Sequence, residues 1–243
     1  MSKKRGGEGE FLKSYRADEY PRPAVTVDLV ILTIIDAEVR VLLVKRGEHP
    51  FKGSWALPGG FVRVGPSASD QGESVDDAAR RELLEETGLE SDRVYLEQLY
   101  TFGDAGRDPR MRVITVSYFA LVRPDLAPLV RAGGDADAAK WFTVSGKKRP
   151  ELAFDHRRIL DTALERIRGN LEYSNIGFDL VPATFTVPEL RNAYETVLEK
   201  RMDPGNFRRS FQRLLSDRII QKAPGKRITA SKPATVYRFV GRG

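Results

Sequence analysis

The apolar positions of the chain follow two periods, one typical of strands and one typical of amphipathic helices. Runs rich in β-branched residues predict strands at residues 25–36, 39–47, 94–104, 112–124 and 139–144. A helix-forming run lies among them at residues 75–87, and it can turn Ala78, Ala79, Leu83 and Leu84 toward a core. Strands on both sides of one helix predict a mixed α/β sandwich rather than a doubly wound sheet.

The pattern changes after a further amphipathic helix, predicted at residues 154–174, which closes the first domain. Thr186 is a candidate N-cap for the next helix, and a turn and a second helix with the apolar stripe Phe207, Phe211, Leu214 and Leu215 follow. Two β-type segments around a basic loop end the chain. Helix, turn, helix and basic hairpin predict a winged helix-turn-helix, so we place the domains at 1–172 (with an extension, 1–24) and 173–243.

The charge of the chain is unevenly distributed. Residues 180–243 contain 13 Lys and Arg against 5 Asp and Glu, whereas residues 1–179 contain 27 against 29, within a net charge of +6. A basic C-terminal unit on a neutral-to-acidic body predicts a polyanionic partner. The alternative is an ordinary basic surface on a helical cap or dimerisation domain.

Composition excludes several classes of protein. The chain has no cysteine, so disulfides, zinc-thiolate sites and thiol catalysis are excluded. The N-terminal residues lack an apolar signal region, and no run of about 18 apolar residues occurs. We therefore expect a cytoplasmic protein with no membrane partner.

Three glutamates on the helix at 75–87 are the clearest chemical signal. Residues three and four apart share a helix face, so Glu82 lies beside both Glu85 and Glu86. Clustered carboxylates suit hard cations, and we expect Mg²⁺ or Mn²⁺ there. The alternative is a solvated acidic helix face.

The surrounding sequence, "GESVDDAARRELLEETGL" at residues 72–89 after "WALPGGFV" at 55–62, resembles the Nudix box. That motif reads Gly, five residues, Glu, seven residues, Arg-Glu-apolar-any-Glu-Glu-any-Gly-apolar, and it matches from Glu73 to Leu89. Twelve residues, not five, separate Gly60 from Glu73, and the surplus falls in residues 65–71. The resemblance implies a Nudix-type α/β/α sandwich in which Glu82, Glu85 and Glu86 hold the metal and are catalytic if the box is active, with Glu73 supporting Arg81. The longer loop predicts weak or absent turnover.

A Nudix-like domain joined to a winged helix resembles the NrtR family of bacterial regulators, and the likeness runs from "YPRPAVTVDLVILT" through "LEQLYTFGDAGRDPR" to "NFRRSFQRL". It implies a homodimeric repressor of NAD-related metabolism that senses ADP-ribose or a related nucleotide. Operator DNA would be bound by basic and amide side chains of the second helix and the wing: Arg208, Arg209, Gln212, Arg213, Lys226 and Arg227.

Arginine matches phosphate oxygens bidentately, so we expect the ligand to lie near the glycines that precede the box and the arginines of the first domain. The candidate ligand-binding residues are Arg46, Gly59, Gly60, Arg107, Arg110 and Arg112. His156, at the predicted start of a helix, is interpreted as a cap or a surface residue. The competing functional class is an active ADP-ribose or nucleoside-diphosphate pyrophosphatase, for which Asp135 and Asp137 are possible distal bases.

Overall fold

The computed structural model describes residues 6–16, 19–67, 70–130, 139–146, 150–171, 175–228 and 232–240. The helices are α1 (Gly6–Ser14), α2 (Val75–Thr87), α3 (His156–Leu171), α4 (Val187–Leu198) and α5 (Pro204–Ser216). The strands are β1 (Ala24–Ile35), β2 (Glu38–Lys45), β3 (Trp55–Ala56), β4 (Gly59–Phe61), β5 (Val64–Ser67), β6 (Asp70–Gly72), β7 (Tyr95–Phe102), β8 (Val113–Leu121), β9 (Ala139–Thr143), β10 (Ile220–Arg227) and β11 (Ala234–Phe239).

The first domain is built on one mixed sheet. Its order is β3-β2-β1-β8-β7, with β4 paired to β1 and β9 paired to β2. Strands β1 and β8 run parallel, and their neighbours are antiparallel. Because side chains alternate along β1, one face of the strand packs on α2 and the other packs on α3. The sheet is therefore covered on both faces, and the predicted α/β/α sandwich is confirmed.

The surplus residues between Gly60 and the glutamate helix form a hairpin of β5 and β6 that is closed at its base. The backbone N–H of Arg63 donates to Glu73 Oε1 (2.8 Å), and the N–H of Glu73 donates to the Arg63 carbonyl (3.1 Å). Gly72 has φ +97°, and a Cβ there would lie 2.1 Å from the Arg63 carbonyl oxygen. The two ends of the insertion therefore lie side by side. Neither this hairpin nor α1 was predicted.

The second domain has the predicted order of helix, turn, helix and wing. Thr186 caps α4 through a capping box with Glu189, and Asp203 caps α5 by accepting from the Asn206 N–H. Strands β10 and β11 form the wing. No helix among the described residues is both long enough and apolar enough to cross a membrane.

One apolar core joins the two domains. Side chains of β1 and α3, including Val30 and Ile167, belong to the same buried cluster as Leu190 of α4 and Phe211 of α5. The winged helix is therefore packed against the first domain rather than tethered to it.

Candidate functional site

An open cavity of about 160 Å³ lies where the ends of β1 and β4 meet the loop between β7 and β8. Its lining brings together charged, glycine and aromatic residues from distant parts of the sequence. The residues are Thr26, Asp28, Arg46, Leu57, Gly59, Gly60, Phe61, Arg107, Asp108, Arg110, Val113, Phe154 and His156. Five of the six predicted ligand residues line it.

Arg107 is the most buried cation of this cavity among the described residues, with a side chain 5% exposed. Its Nε and Nη2 donate to the two carboxylate oxygens of Asp155 at 3.0 and 2.6 Å, and Nη2 also lies 3.3 Å from Asp28 Oδ2. Two carboxylates therefore share one guanidinium, which compensates the cost of burying it.

Arg110 and Arg46 lie nearer the mouth of the cavity, beside aromatic rings. Arg110 donates to both carboxylate oxygens of Asp108, at 3.0 and 2.7 Å, and these bonds lower the pKa of Asp108. Its guanidinium carbon lies 5.5 Å from the centre of the half-exposed Phe61 ring. Arg46 donates to the Pro50 carbonyl (2.8 Å) and stands 4.8 Å from the Phe154 ring centre. Both arginines make cation–π contacts that keep them at the cavity.

The interpretation of His156 as a cap or surface residue was wrong. The imidazole is buried, its Nδ1 accepts from the Leu57 N–H at 2.9 Å, and Nε2 lies 3.6 Å from Asp28 Oδ1. Burial lowers the pKa of His156. A neutral imidazole at this position orients the backbone that leads into Gly59 and Gly60.

Arg112 does not line the cavity, contrary to the prediction. Its side chain is exposed, and its backbone carbonyl accepts from the Ala24 N–H at the start of the sheet. The prediction failed because the polar loop ends at β8, whose first residues already follow the sheet register. Four residues in or beside the cavity were not predicted: Asp28, Phe61, Phe154 and Asp155. Of these four residues, Phe154 stands out by its backbone conformation. Its φ is +54°, and residues with such strained dihedral angles cluster at functional sites.

Close approach to backbone requires glycine at position 59, whereas Gly60 lies against the end of a glutamate side chain. A Cβ on Gly59, at φ +154°, would lie 2.2 Å from the Val27 carbonyl oxygen. A Cβ on Gly60 would lie 2.2 Å from Glu82 Oε1. The longer connection does not separate Gly60 from the glutamate helix, and weak turnover stays a prediction.

Arg81 organises the glutamate cluster. Its Nη2 and Nε donate to Glu73 at 2.6 and 3.0 Å, and its Nη1 donates to Glu82 (2.6 Å) and Glu85 (3.1 Å). These bonds lower the pKa of Glu73 to about 2. Burial raises the pKa of Glu82 despite its arginine partner. The predicted support of Arg81 by Glu73 is confirmed by this contact.

The cluster as placed does not fit a magnesium site. Among the described residues, no three His, Cys, Asp or Glu side chains are grouped so that they could hold a metal ion. Glu85 faces Arg81 and also Arg63, whose Nη2 lies 3.2 Å away. Glu86 is half-buried. Burial is the main cause that raises its pKa, and repulsion from Glu82 and Glu85 raises it further. Binding of Mg²⁺ or Mn²⁺ stays a prediction, and Asp135 and Asp137 lie outside the described residues.

The second candidate site is the outer face of α5. Phe207 and Phe211 are buried, and the predicted DNA-binding residues of this helix, Arg208, Arg209, Gln212 and Arg213, are all exposed. Arg209 bonds to the Asn206 side chain within its own helix. Lys226 of the wing is also exposed. The outer face of α5 is therefore basic and exposed, and the wing adds an exposed lysine.

Arg227, assigned to DNA, is paired within the domain although its side chain is 33% exposed, and its contact with DNA stays a prediction. Its Nη1 lies 2.7 Å from both carboxylate oxygens of Glu189, and its Nη2 donates to the Thr184 carbonyl (2.9 Å). Although burial opposes it, the Arg227 guanidinium keeps the pKa of Glu189 below its usual value. Arg227 thus links strand β10 of the wing to the capping box of α4.

A Nudix-type sandwich with its box glutamates, fused to a winged helix with a basic recognition face, defines a class of two-domain DNA-binding proteins. Residues 25–163 match the NUDIX domain model, and residues 177–239 match the model of the NrtR DNA-binding winged helix domain. The chain belongs to the NrtR family.

The chain is also similar to three individual proteins. It is 34% identical to the "ADPR responsive transcriptional repressor NtrR" of Acinetobacter baylyi over 96% of this chain and 88% of that protein. It is 41% identical to the "ADP-ribose pyrophosphatase" of Methanocaldococcus jannaschii over 61% of this chain and 76% of that protein.

The third relative is Shewanella oneidensis NrtR, and two of its crystal structures are compared with this chain. The complex with a 27mer DNA superposes with a TM-score of 0.76 at 32% identity, covering 88% of this chain and 93% of that one. The complex of the NUDIX domain with ADP ribose superposes with a TM-score of 0.57 at 34% identity, covering 66% of this chain and 98% of that one.

Proposed function

We propose that this protein is a transcriptional repressor that binds operator DNA through its winged helix and senses ADP-ribose, or a related nucleotide, through its Nudix domain. One observation carries the proposal. The Nudix domain contains a cavity lined by three arginines and a half-exposed aromatic ring, and the same domain shares an apolar core with a domain that has an exposed basic helix. We further propose that it acts in the cytoplasm as a homodimer on genes of NAD-related metabolism.

The cavity supplies the chemistry that a nucleoside diphosphate requires. Arg46 and Arg110 are placed at its mouth, where their guanidinium groups can meet phosphate oxygens. The exposed face of Phe61 offers a stacking surface for a base. Its polar floor, which includes Asp28, provides an acceptor for sugar hydroxyls.

The basic helix supplies the chemistry that duplex DNA requires. Arg and Gln on a helix in the major groove can read base edges, while other basic groups hold phosphates. Loss of a base-reading residue such as Arg208 or Arg213 should weaken operator binding by about 1–3 kcal/mol and relax its specificity. A dimer would recognise half-sites about one or two helical turns apart.

The test combines selection of DNA with ligand titration. The full-length protein would select duplexes from a random-sequence library, and fluorescence anisotropy would then measure affinity for the selected duplex with and without ADP-ribose. We expect selection of a near-palindromic duplex and a change of affinity when ADP-ribose is added. Absence of ADP-ribose binding in calorimetry at millimolar concentration, or operator binding by residues 1–172 equal to that of the full chain, would contradict the proposal.

The second candidate function is a working ADP-ribose or nucleoside-diphosphate pyrophosphatase, favoured by the intact arrangement of Glu73, Arg81 and Glu82. A metal ion would have to displace Arg63 and Arg81 from Glu85. We therefore expect turnover at least about a hundredfold below a dedicated enzyme, a barrier higher by roughly 2.7 kcal/mol. Phosphatase-coupled assays with Mg²⁺ or Mn²⁺ would measure it. Rapid wild-type turnover abolished by Glu86→Gln would make the protein primarily an enzyme.

A further inference from the structure

Helix α3 (His156–Leu171) connects the cavity to the winged helix. It has 16 residues and is therefore about 24 Å long. His156, its first residue, lines the cavity, and Leu171, its last residue, belongs to the apolar core shared with the second domain. A single rigid element thus has one end at each candidate site.

At the cavity end, the helix is held by the carboxylate that pairs with Arg107. Asp155 accepts from the guanidinium through both oxygens, at 2.6 and 3.0 Å. Its backbone carbonyl accepts from the N–H groups of Arg158 (2.9 Å) and Ile159 (3.3 Å), which form the first turn of α3. A displacement of Asp155 therefore displaces the start of the helix.

At the far end of α3, Arg168 binds the C-terminal end of α4. Its Nε donates to the Val197 carbonyl at 3.0 Å, and its Nη2 lies 2.7 Å from Glu199 Oε1. Ile167, one residue earlier, is buried in the apolar core that includes Leu190 of α4. Movement of α3 along or about its axis is therefore passed to α4, on which α5 packs.

We infer that α3 carries the effector signal from the cavity to the DNA-binding domain, with Arg107 and Asp155 as the sensing pair and Arg168 as the output contact. The inference rests on the proposed function. Arg107 lines the same cavity as Arg46 and Arg110 and is already shared by two carboxylates, so an anionic group of the ligand that reaches past those two arginines competes with Asp155 for the Arg107 guanidinium and repels the carboxylate. The ligand thereby favours a different position of α3, which is the differential interaction that coupling between two sites requires.

The test separates coupling from binding by using two arginines of the same helix. Arg168 contacts the winged helix, whereas Arg166 contacts Glu97 and the Leu99 carbonyl of β7 within the first domain. The measured quantity is the ratio of DNA affinities without and with saturating ADP-ribose, which we expect to be at least about tenfold in the wild type. In Arg168→Ala the ratio should fall to within about twofold of one, while ADP-ribose affinity and ligand-free DNA affinity each stay within about threefold. Arg166→Ala should keep the wild-type ratio.

A wild-type ratio in Arg168→Ala, or an equal loss in Arg166→Ala, would overturn the inference while leaving the proposed function standing. A wild-type ratio of one would overturn both. If Arg168→Ala does not fold, Glu199→Gln, which removes the ion pair and retains Arg168, is the replacement. It should lower the ratio in the same direction by a smaller factor, and an unchanged ratio in it would likewise reject the role of this contact.

Discussion

At the scale of single residues, the cavity and the glutamate cluster are governed by which charges find partners. Arg107, Arg110 and Arg81 each bind carboxylates, whereas Glu86 is half-buried without a hydrogen bond or ion pair among the described residues. An unpaired buried carboxylate lowers the stability of the fold, because burial disfavours its charged form. Such a residue is retained at a cost in folding free energy.

We therefore predict that Glu86→Gln stabilises the protein at neutral pH. The folded state raises the pKa of Glu86, so it binds the proton more tightly than the unfolded state, and stability falls as pH rises above the unfolded value. Removing the charge should add about 0.5–2 kcal/mol at pH 7.5, and the gain should shrink as the pH approaches 4.5. Urea unfolding at several pH values measures it. Glu85→Gln, which loses two arginine contacts, is the control, and an equal gain there would contradict the argument.

A second prediction concerns the two adjacent basic residues of the wing. Arg227→Met should destabilise the protein by about 1–2 kcal/mol, because at a partly exposed site it leaves the Thr184 carbonyl without its guanidinium donor and Glu189 with only the Thr186 N–H. Lys226→Met, on the exposed side, should leave stability unchanged and weaken binding to all duplexes alike. Thermal unfolding and anisotropy distinguish the two. Arg227→Met with native stability but lost DNA binding would restore the original assignment.

At the scale of elements, the hairpin of β5 and β6 is an insertion that leaves the two ends of the interrupted motif in contact. The chain leaves at Arg63 and returns at Glu73, and two hydrogen bonds between these residues, one of them to the Glu73 carboxylate, close the base of the hairpin. Glu73 consequently reaches Arg81 just as a short loop would allow.

Deleting residues 65–71 restores five residues between Gly60 and Glu73, and we predict little effect on the fold. Surface loop length contributes weakly to stability. The expected change is below about 1 kcal/mol, or within about 4 °C in Tm. Gly72→Ala should be much more disruptive, since its Cβ would lie 2.1 Å from the Arg63 carbonyl oxygen. Scanning calorimetry compares the two variants, and the reverse order of effects would show that the hairpin supports the box.

At the scale of the whole molecule, charge is divided between the domains. Residues 180–243 carry a net charge of +8, from 13 Lys and Arg against 5 Asp and Glu, whereas residues 1–179 carry −2, from 27 against 29. Two of the three cavity arginines, Arg107 and Arg110, are moreover paired with carboxylates. The two binding reactions should therefore respond differently to salt.

We predict that DNA affinity falls roughly a thousandfold between 50 and 200 mM salt, as for about six phosphate contacts. ADP-ribose affinity should fall by less than about tenfold over the same range, because its anionic groups meet cavity arginines whose charges are partly compensated by carboxylates. Anisotropy and calorimetry across a salt series test both. A DNA affinity independent of salt would exclude phosphate contacts by the basic helix as the main source of binding.

The sequence by itself determined the elements whose signals are local. Helix α2 has the predicted bounds, Val75–Thr87, because its cap, its apolar spacing and Gly88 all act within one or two turns. Thr186 caps α4 for the same reason, and the order of the two domains follows from periodicity and charge. The glutamates, the glycines and the basic face of α5 were found this way.

Only the tertiary structure decided which partners the charged and polar side chains took. Arg107 meets Asp28 across 79 positions and Asp155 across 48, and His156 meets Leu57 across 99. Arg227 turns inward to Glu189, 38 positions away, while its neighbour Lys226 stays exposed. Local patterns specify caps and periods because those interactions are short in sequence. Ion pairing and burial depend on how distant strands and loops converge, and this convergence made one arginine a cavity residue and another a structural one.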